Sequence, residues 1–172
     1  VEIARDIAET FNRTYGNIIK LPEPMIPEEV QSIPGIDGRK MSKSYNNTIQ
    51  IFGGEKETRK QIMRIVTDSK TPEEPKDPES CNVFQIFRFF APKERVEEVR
   101  QQYLQGGLGY GALKQELFER YLDHFAEARK TYDTLMNDKA QLDAILKTGA
   151  EKVRSIAIPN LKRMRKAVGL DK

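Results

Sequence analysis

Arg39, Lys40 and Lys43 stand with Ser42 and Ser44 in the stretch GRKMSKS, Gly38–Ser44. Cations and hydroxyls beside a glycine are groups able to hold phosphate oxygens, and spacing tests which kind of phosphate loop they could form. A Walker loop requires G-x-x-x-x-G-K-[ST], but Gly35 and Gly38 sit wrongly for Lys40, and Met41 follows that lysine in place of a hydroxyl. No G-x-G-x-x-G occurs anywhere in the chain. On composition alone, a solvated charged turn accounts for the cluster as well. No helix or strand favours so much like charge in so short a space, so a loop is expected here, within PGIDGRKMSKSYNN.

The elements around this loop read as short and mixed before it and helical after it. VEIARDIAETFNRTYG sets Ile3, Ile7, Phe11 and Tyr15 four residues apart, an amphipathic helix that Gly16 ends. No capping residue precedes Val1, and no initiator Met is present, so the expectation is an N-terminal truncation. The prolines between Asn17 and Val30 exclude a long helix, and Ile18–Leu21 and Val30–Ile33 are expected as short strands. After the apolar stretch Thr48–Phe52, Gly53-Gly54 leads into a helix, EKETRKQIMRIV, with its acids first and its bases later, as the helix dipole prefers.

Thr67–Ser80 is proline-rich and charged and reads as an exposed linker. Val83, Phe84, Ile86, Phe87 and Phe90 form a dense apolar segment, expected to be the most buried helix of this half. Pro92 suits a first helical turn. Leu113, Leu117, Tyr121 and Phe125 make a four-residue ladder that Tyr132 and Met136 continue. Thr148 and Glu151 suggest a capping box for the last helix, which Pro159 is expected to kink or split. The division expected is an α/β portion over 1–66 and a helical bundle over 72–172.

Composition excludes several classes. The 172 residues carry a net charge of +3, with 32% charged and 8% aromatic residues, which weakly favours a polyanionic partner. Cys81 has no second cysteine for a disulfide or a zinc site, and His124 reads as a helix-surface residue. No run is long enough to span a membrane and no signal-peptide pattern is present, so a cytoplasmic protein is expected. Lys152, Arg154, Lys162, Arg163, Arg165 and Lys166 make the last helix basic, and such a strip could hold nucleic-acid phosphates.

Lys40-Met41-Ser42-Lys43-Ser44 resembles, letter for letter, the second signature of the class I aminoacyl-tRNA synthetases. The flanks IPGIDGRKMSKSYNNTIQIF, then RKQIMRIVTDS, CNVFQIFRFFA, GGLGYGALKQEL and GAEKVRSIA with LKRMRKAVGL, resemble in order and spacing the bacterial tryptophanyl-tRNA synthetases. The resemblance covers essentially the whole chain. It implies a mostly α chain: the C-terminal remnant of a class I Rossmann catalytic domain (1–66) followed by an α-helical anticodon-binding-type domain (72–172). The family's histidine-containing first signature is absent, because the single histidine, His124, lies far downstream.

The activity implied is tryptophan–tRNA ligation: ATP, accompanied by Mg2+, activates L-tryptophan to the adenylate, and the product is passed to tRNA(Trp). The implied catalytic residues are Lys43 first and Lys40 second, charges that follow the leaving pyrophosphate. Lys40, Met41, Ser42, Lys43 and Ser44 would bind the ATP phosphates, Met41 chiefly through backbone groups, and Val30 would lie near the adenine. No tightly bound metal is implied, and the intact enzymes of the family imply a homodimer. The resemblance makes tRNA contact by the helical half an expectation for the six basic residues. The alternatives are a non-catalytic helical RNA-binding module with a vestigial loop, and a synthetase of the tyrosyl type. This stretch of chain alone is expected to be inactive.

Overall fold

The computed structural model describes residues 1–27 and 32–171. Among these the regular structure is helical, without strands: α1 (Glu2–Tyr15), α2 (Glu55–Met63), α3 (Asn82–Phe87), α4 (Lys93–Gln105), α5 (Tyr110–His124), α6 (Ala126–Asn137) and α7 (Lys139–Ala167). Among the described residues one 3-10 turn, Lys43–Tyr45, lies in the basic loop. No helix of the described residues is long and apolar enough to cross a membrane. Contacts group the chain into two units, one of residues 28–134 and one of residues 1–27 with 135–172.

The 28–134 unit holds the core. Val83, Phe84, Ile86 and Phe87 of α3 are all buried, as their density in the sequence predicts. They share one apolar cluster with Ile49, Ile62 and Ile65 before them and with Val99, Tyr103, Leu113, Leu117 and Tyr121 after them. Each such side chain contributes roughly 1.5–3 kcal/mol by leaving water. Residues 49–65 therefore belong to the same core as α3–α5. The ladder on α5 is buried at Leu113, Leu117 and Tyr121. It breaks at Phe125, the C-cap of α5, so that Tyr132 instead stacks on Phe52 at 4.5 Å while Met136 is exposed.

Residues 67–80 are no free linker. Lys76 is 2% exposed, and its Nζ donates to the carbonyls of Thr71 (2.6 Å), Pro72 (3.1 Å) and Glu74 (2.9 Å). Its main-chain N–H donates to Tyr103 O, and Gly107 N–H donates to Pro72 O. The segment is thus a strap wound around an ammonium group and tied to the end of α4. Gly106 has φ +82, and a Cβ there would stand 2.1 Å from Glu73 O, so only glycine lets the strap approach so closely.

In the other unit α1 forms as its spacing predicts, but of its residues only Ala8 is buried, and Ile3 and Ile7 are exposed. The expected strand at Ile18–Leu21 does not form. Asn12 Oδ1 accepts from both Ile18 N–H (3.0 Å) and Ile19 N–H (2.9 Å), and its Nδ2 donates to Ile19 O. A side chain of α1 thereby occupies the groups a neighbouring strand would need.

The last helix departs furthest from expectation. Asp138 caps α7 by accepting from Gln141 N–H at 2.9 Å, so Thr148 and Glu151 lie inside the helix and form no capping box. Pro159 also lies inside α7 without dividing it. It removes the N–H that would have bonded the Ser155 carbonyl, on an exposed stretch of the helix.

Candidate phosphate-binding loop

The loop begins with a tight reversal. Met41 N–H donates to Ile33 O (2.8 Å), Gly35 N–H to Arg39 O (2.7 Å) and Gly38 N–H to Gly35 O (3.0 Å), and Pro34 and Lys40 form an antiparallel bridge. Gly38 takes φ +82 at the turn, and a Cβ there would meet the Asn82 side chain at 2.7 Å. Asn82 opens α3 and donates to Val66 O, while Val66 N–H donates to Ile36 O. The base of the loop is therefore fastened to the start of α3 and the chain just after α2.

Within this frame the basic residues are held by a polar hub that the sequence did not single out. Asn47 is buried. Its Oδ1 accepts from Ser42 N–H at 2.7 Å, and its Nδ2 donates to Asp37 Oδ1 at 2.7 Å and Lys40 O at 3.2 Å. The Asn47 hydrogen bond, opposed by partial desolvation and reinforced by Arg39, holds the Asp37 carboxyl below the usual carboxylate range. Arg39 bonds Asp37 Oδ2 and lies over the Tyr45 ring at 4.4 Å. Its charge is spent inside the loop.

Lys40, Lys43 and Ser44 are exposed and Ser42 is half-buried. The ammonium groups of Lys40 and Lys43 have no hydrogen-bond or ion-pair partner among the described residues. Ser42 caps the 3-10 turn, its Oγ accepting from Ser44 N–H (3.3 Å) and lying 2.8 Å from Ser44 Oγ. Two unpaired cations and a hydroxyl pair therefore share one surface turn, the arrangement a polyphosphate neutralises. Met41 differs from expectation: its N–H is used within the reversal, and its side chain packs against the apolar core. It lines a cavity of about 340 Å³ with Ile49, Ile51, Phe90, Tyr121 and His124. Met41 is the loop's apolar anchor.

The segment leaving the loop is clamped by distant helices. Arg129 of α6 donates to Ile51 O and Gly53 O, both at 2.6 Å. Tyr121, whose hydroxyl burial has pushed up to about 12, reaches Ile49 O at 3.4 Å. Lys114 of α5 donates to Met63 O (3.1 Å) and Ile65 O (2.7 Å) at the end of α2, and burial lowers its pKa. Nothing in the sequence distinguishes Arg129 or Lys114 from solvated helix cations, because their partners are backbone carbonyls far away in the chain.

Val30, expected near the adenine, lies outside the described residues. The six basic residues fall in the other unit, all exposed on α7. At roughly 100° per residue, Lys152, Lys162, Arg163 and Lys166 share one side of that helix, while Arg154 and Arg165 lie towards the opposite one. Arg165 is moreover paired with Asp171 at 2.9 Å. Among the described residues no three His, Cys, Asp or Glu side chains are grouped to hold a metal ion.

Residues 1–126 match the family model of the class I tRNA synthetases for tryptophan and tyrosine (W and Y). The chain is 46% identical over 99% of its length to a tryptophan–tRNA ligase of Pseudomonas aeruginosa, of which it covers 38%. It is 46% identical, again over 99% of its length, to that of Campylobacter jejuni strain RM1221, of which it covers 53%. A solved tryptophanyl-tRNA synthetase of C. jejuni, complexed with ADP and tryptophan, superposes with a TM-score of 0.82 over 98% of this chain and 53% of its own. The chain thus spans between about two fifths and half of these relatives, its helical architecture is theirs, and it belongs to the class I tRNA synthetases of the tryptophan and tyrosine family.

Proposed function

We propose that the chain is the loop-bearing C-terminal portion of a tryptophan–tRNA ligase, in which Lys40–Ser44 binds the phosphates of ATP. The single observation that carries this is the surface turn in which Lys40 and Lys43 stand unpaired beside the Ser42–Ser44 hydroxyl pair, within a chain 46% identical to tryptophan–tRNA ligases over 99% of its length. The tryptophan carboxylate attacks the α-phosphorus of magnesium-bound ATP, the adenylate forms, and pyrophosphate departs with its charge. Lys43 and Lys40 stabilise that charge, and Ser42 and Ser44 donate to phosphate oxygens once their mutual bond opens. No covalent enzyme intermediate is needed; the work is positioning and charge stabilisation. A terminal hydroxyl of tRNA(Trp) then attacks the adenylate's acyl carbon, the acyl–phosphate bond breaks, and AMP leaves as the aminoacyl ester forms.

The division into a catalytic part over 1–66 and a tRNA-binding part over 72–172 belongs to the same reading, as do a cytoplasmic location and a homodimer. The test is ATP–pyrophosphate exchange by the full-length protein. Exchange that depends on tryptophan and is not supported by tyrosine is expected; exchange driven by tyrosine would favour the other branch of the family. Exchange by neither would leave a helical RNA-binding module.

For tRNA, the α7 face predicts a graded result. Replacing Lys152, Lys162, Arg163 or Lys166 by Ala is expected to lower the salt dependence of tRNA binding by about one in slope for each phosphate no longer neutralised. Arg165→Ala is expected to do less, since its guanidinium is already paired with Asp171. Filter binding over a salt series measures both, and an unchanged slope in the four-residue variant would remove α7 from the interface.

A further inference from the structure

Asn47 is 1% exposed, and among the described residues its hydrogen bonds run to the loop itself, to Ile36, Asp37, Lys40 and Ser42. Besides the three side-chain bonds, its main-chain O accepts from Ile36 N–H at 2.9 Å. One amide group thus holds the carbonyl of Lys40 and the N–H of Ser42, the main-chain groups on either side of Met41. Met41 in turn is sunk against the apolar core. With the peptide groups bracketing residue 41 turned inward and its half-buried side chain packed against the core, Lys40 and the turn that starts at Lys43 are left on the solvent side.

We infer that Asn47 is a positioning residue for the phosphate loop, setting the shape in which Lys40 and Lys43 are presented together to a polyphosphate. This rests on the reading of Lys40–Ser44 as an ATP phosphate loop. Only an amide fits the position. A carboxylate cannot donate to Lys40 O, and an aliphatic side chain would leave Ser42 N–H without a partner. Asp37 settles which way the amide faces. Its oxygen only accepts, so Nδ2 must point at it, which leaves Oδ1 for Ser42 N–H. Gly35 provides the room, since a Cβ there would stand 2.4 Å from the Asn47 amide.

The test compares Asn47→Ala, Asn47→Asp and the exchanged pair Asp37→Asn/Asn47→Asp in the full-length protein. Asn47→Ala is expected to lower kcat/KM for ATP in tryptophan-dependent pyrophosphate exchange by on the order of 100-fold, the cost of a loop displaced by about an ångström. Tryptophan binding, titrated alone, is expected to stay at the parental value, which general collapse of the fold would not allow. Asn47→Asp, facing the Asp37 carboxylate, is expected to lose at least as much. The exchanged pair restores a donor and an acceptor between positions 37 and 47 and should recover part of the loss.

Affinity for inorganic tripolyphosphate, measured by calorimetry, gives a readout without turnover and is expected to fall in Asn47→Ala. Parental kcat/KM for ATP and parental tripolyphosphate affinity in that variant would overturn the role of Asn47. So would an equal loss of tryptophan binding. A wild-type protein that exchanges no pyrophosphate would overturn the activity itself, while the tripolyphosphate comparison still decides whether Asn47 shapes the loop.

Discussion

Replacing Lys43 by Ala is expected to reduce tryptophan-dependent ATP–pyrophosphate exchange by about 100- to 1000-fold while leaving the fold intact. The size follows from removing one positioned charge from the leaving group, worth roughly 3–4 kcal/mol in the transition state. The structural cost is small for a local reason. Lys43 opens the 3-10 turn with an exposed side chain that makes no hydrogen bond or ion pair among the described residues. Its loss leaves no buried group unpaired, and exposed substitutions of this kind usually fall within about 0.5 kcal/mol of neutral. Lys40→Ala is expected to lose less, as the second of the two cations. Exchange rate and thermal midpoint on the full-length protein separate the two effects, and an exchange rate equal to the parent would remove Lys43 from the chemistry.

Lys76→Met is expected to show the opposite pattern: a stability loss of about 3 kcal/mol with the Lys40–Ser44 loop itself unaltered. The ammonium group satisfies three carbonyls of the strap at once, and hydrogen bonds to charged groups contribute roughly 1.5–3 kcal/mol each. Methionine fills a similar volume but donates nothing, so Thr71, Pro72 and Glu74 would be left with carbonyls turned towards an apolar side chain. Release from burying a charge offsets part of the loss, which keeps the expected value near that of one or two such bonds. Gly106→Ala should destabilise the same strap by another route, through the clash with Glu73 O and the positive φ. Denaturant midpoints of the two variants measure the effect; a Lys76→Met protein as stable as its parent would show that the strap contributes little to the folded state.

How much of this was legible before the structure depends on the range of the interaction concerned. The helices α1, α2 and α3 follow from apolar spacing, from Gly16 and the Gly53-Gly54 pair, and from the density of Val83–Phe87, all of which act within a few residues. The KMSKS loop is legible for the same reason: its cations, hydroxyls and glycines are contiguous. The capping box at Thr148 was misleading because a local pattern matched inside a longer helix, whose true cap is Asp138. The strand at Ile18–Leu21 failed because Asn12 of α1 took its hydrogen bonds.

The sequence by itself determined the family, the helical character and the place of the basic loop, because periodicity, capping residues and a contiguous motif are short-range properties. Only the tertiary structure decided what holds that loop. Asn47 looks like any loop asparagine until Ser42, Lys40 and Asp37 are folded around it, and Arg129 and Lys114 look like surface cations until carbonyls 76 and 49 residues away meet them. Lys76 looked like part of a solvated linker until three carbonyls closed on its ammonium. In each case one polar side chain satisfies backbone groups remote from it or folded back upon it. Residue type states what such a side chain can bond, while the folded chain alone supplies the partner.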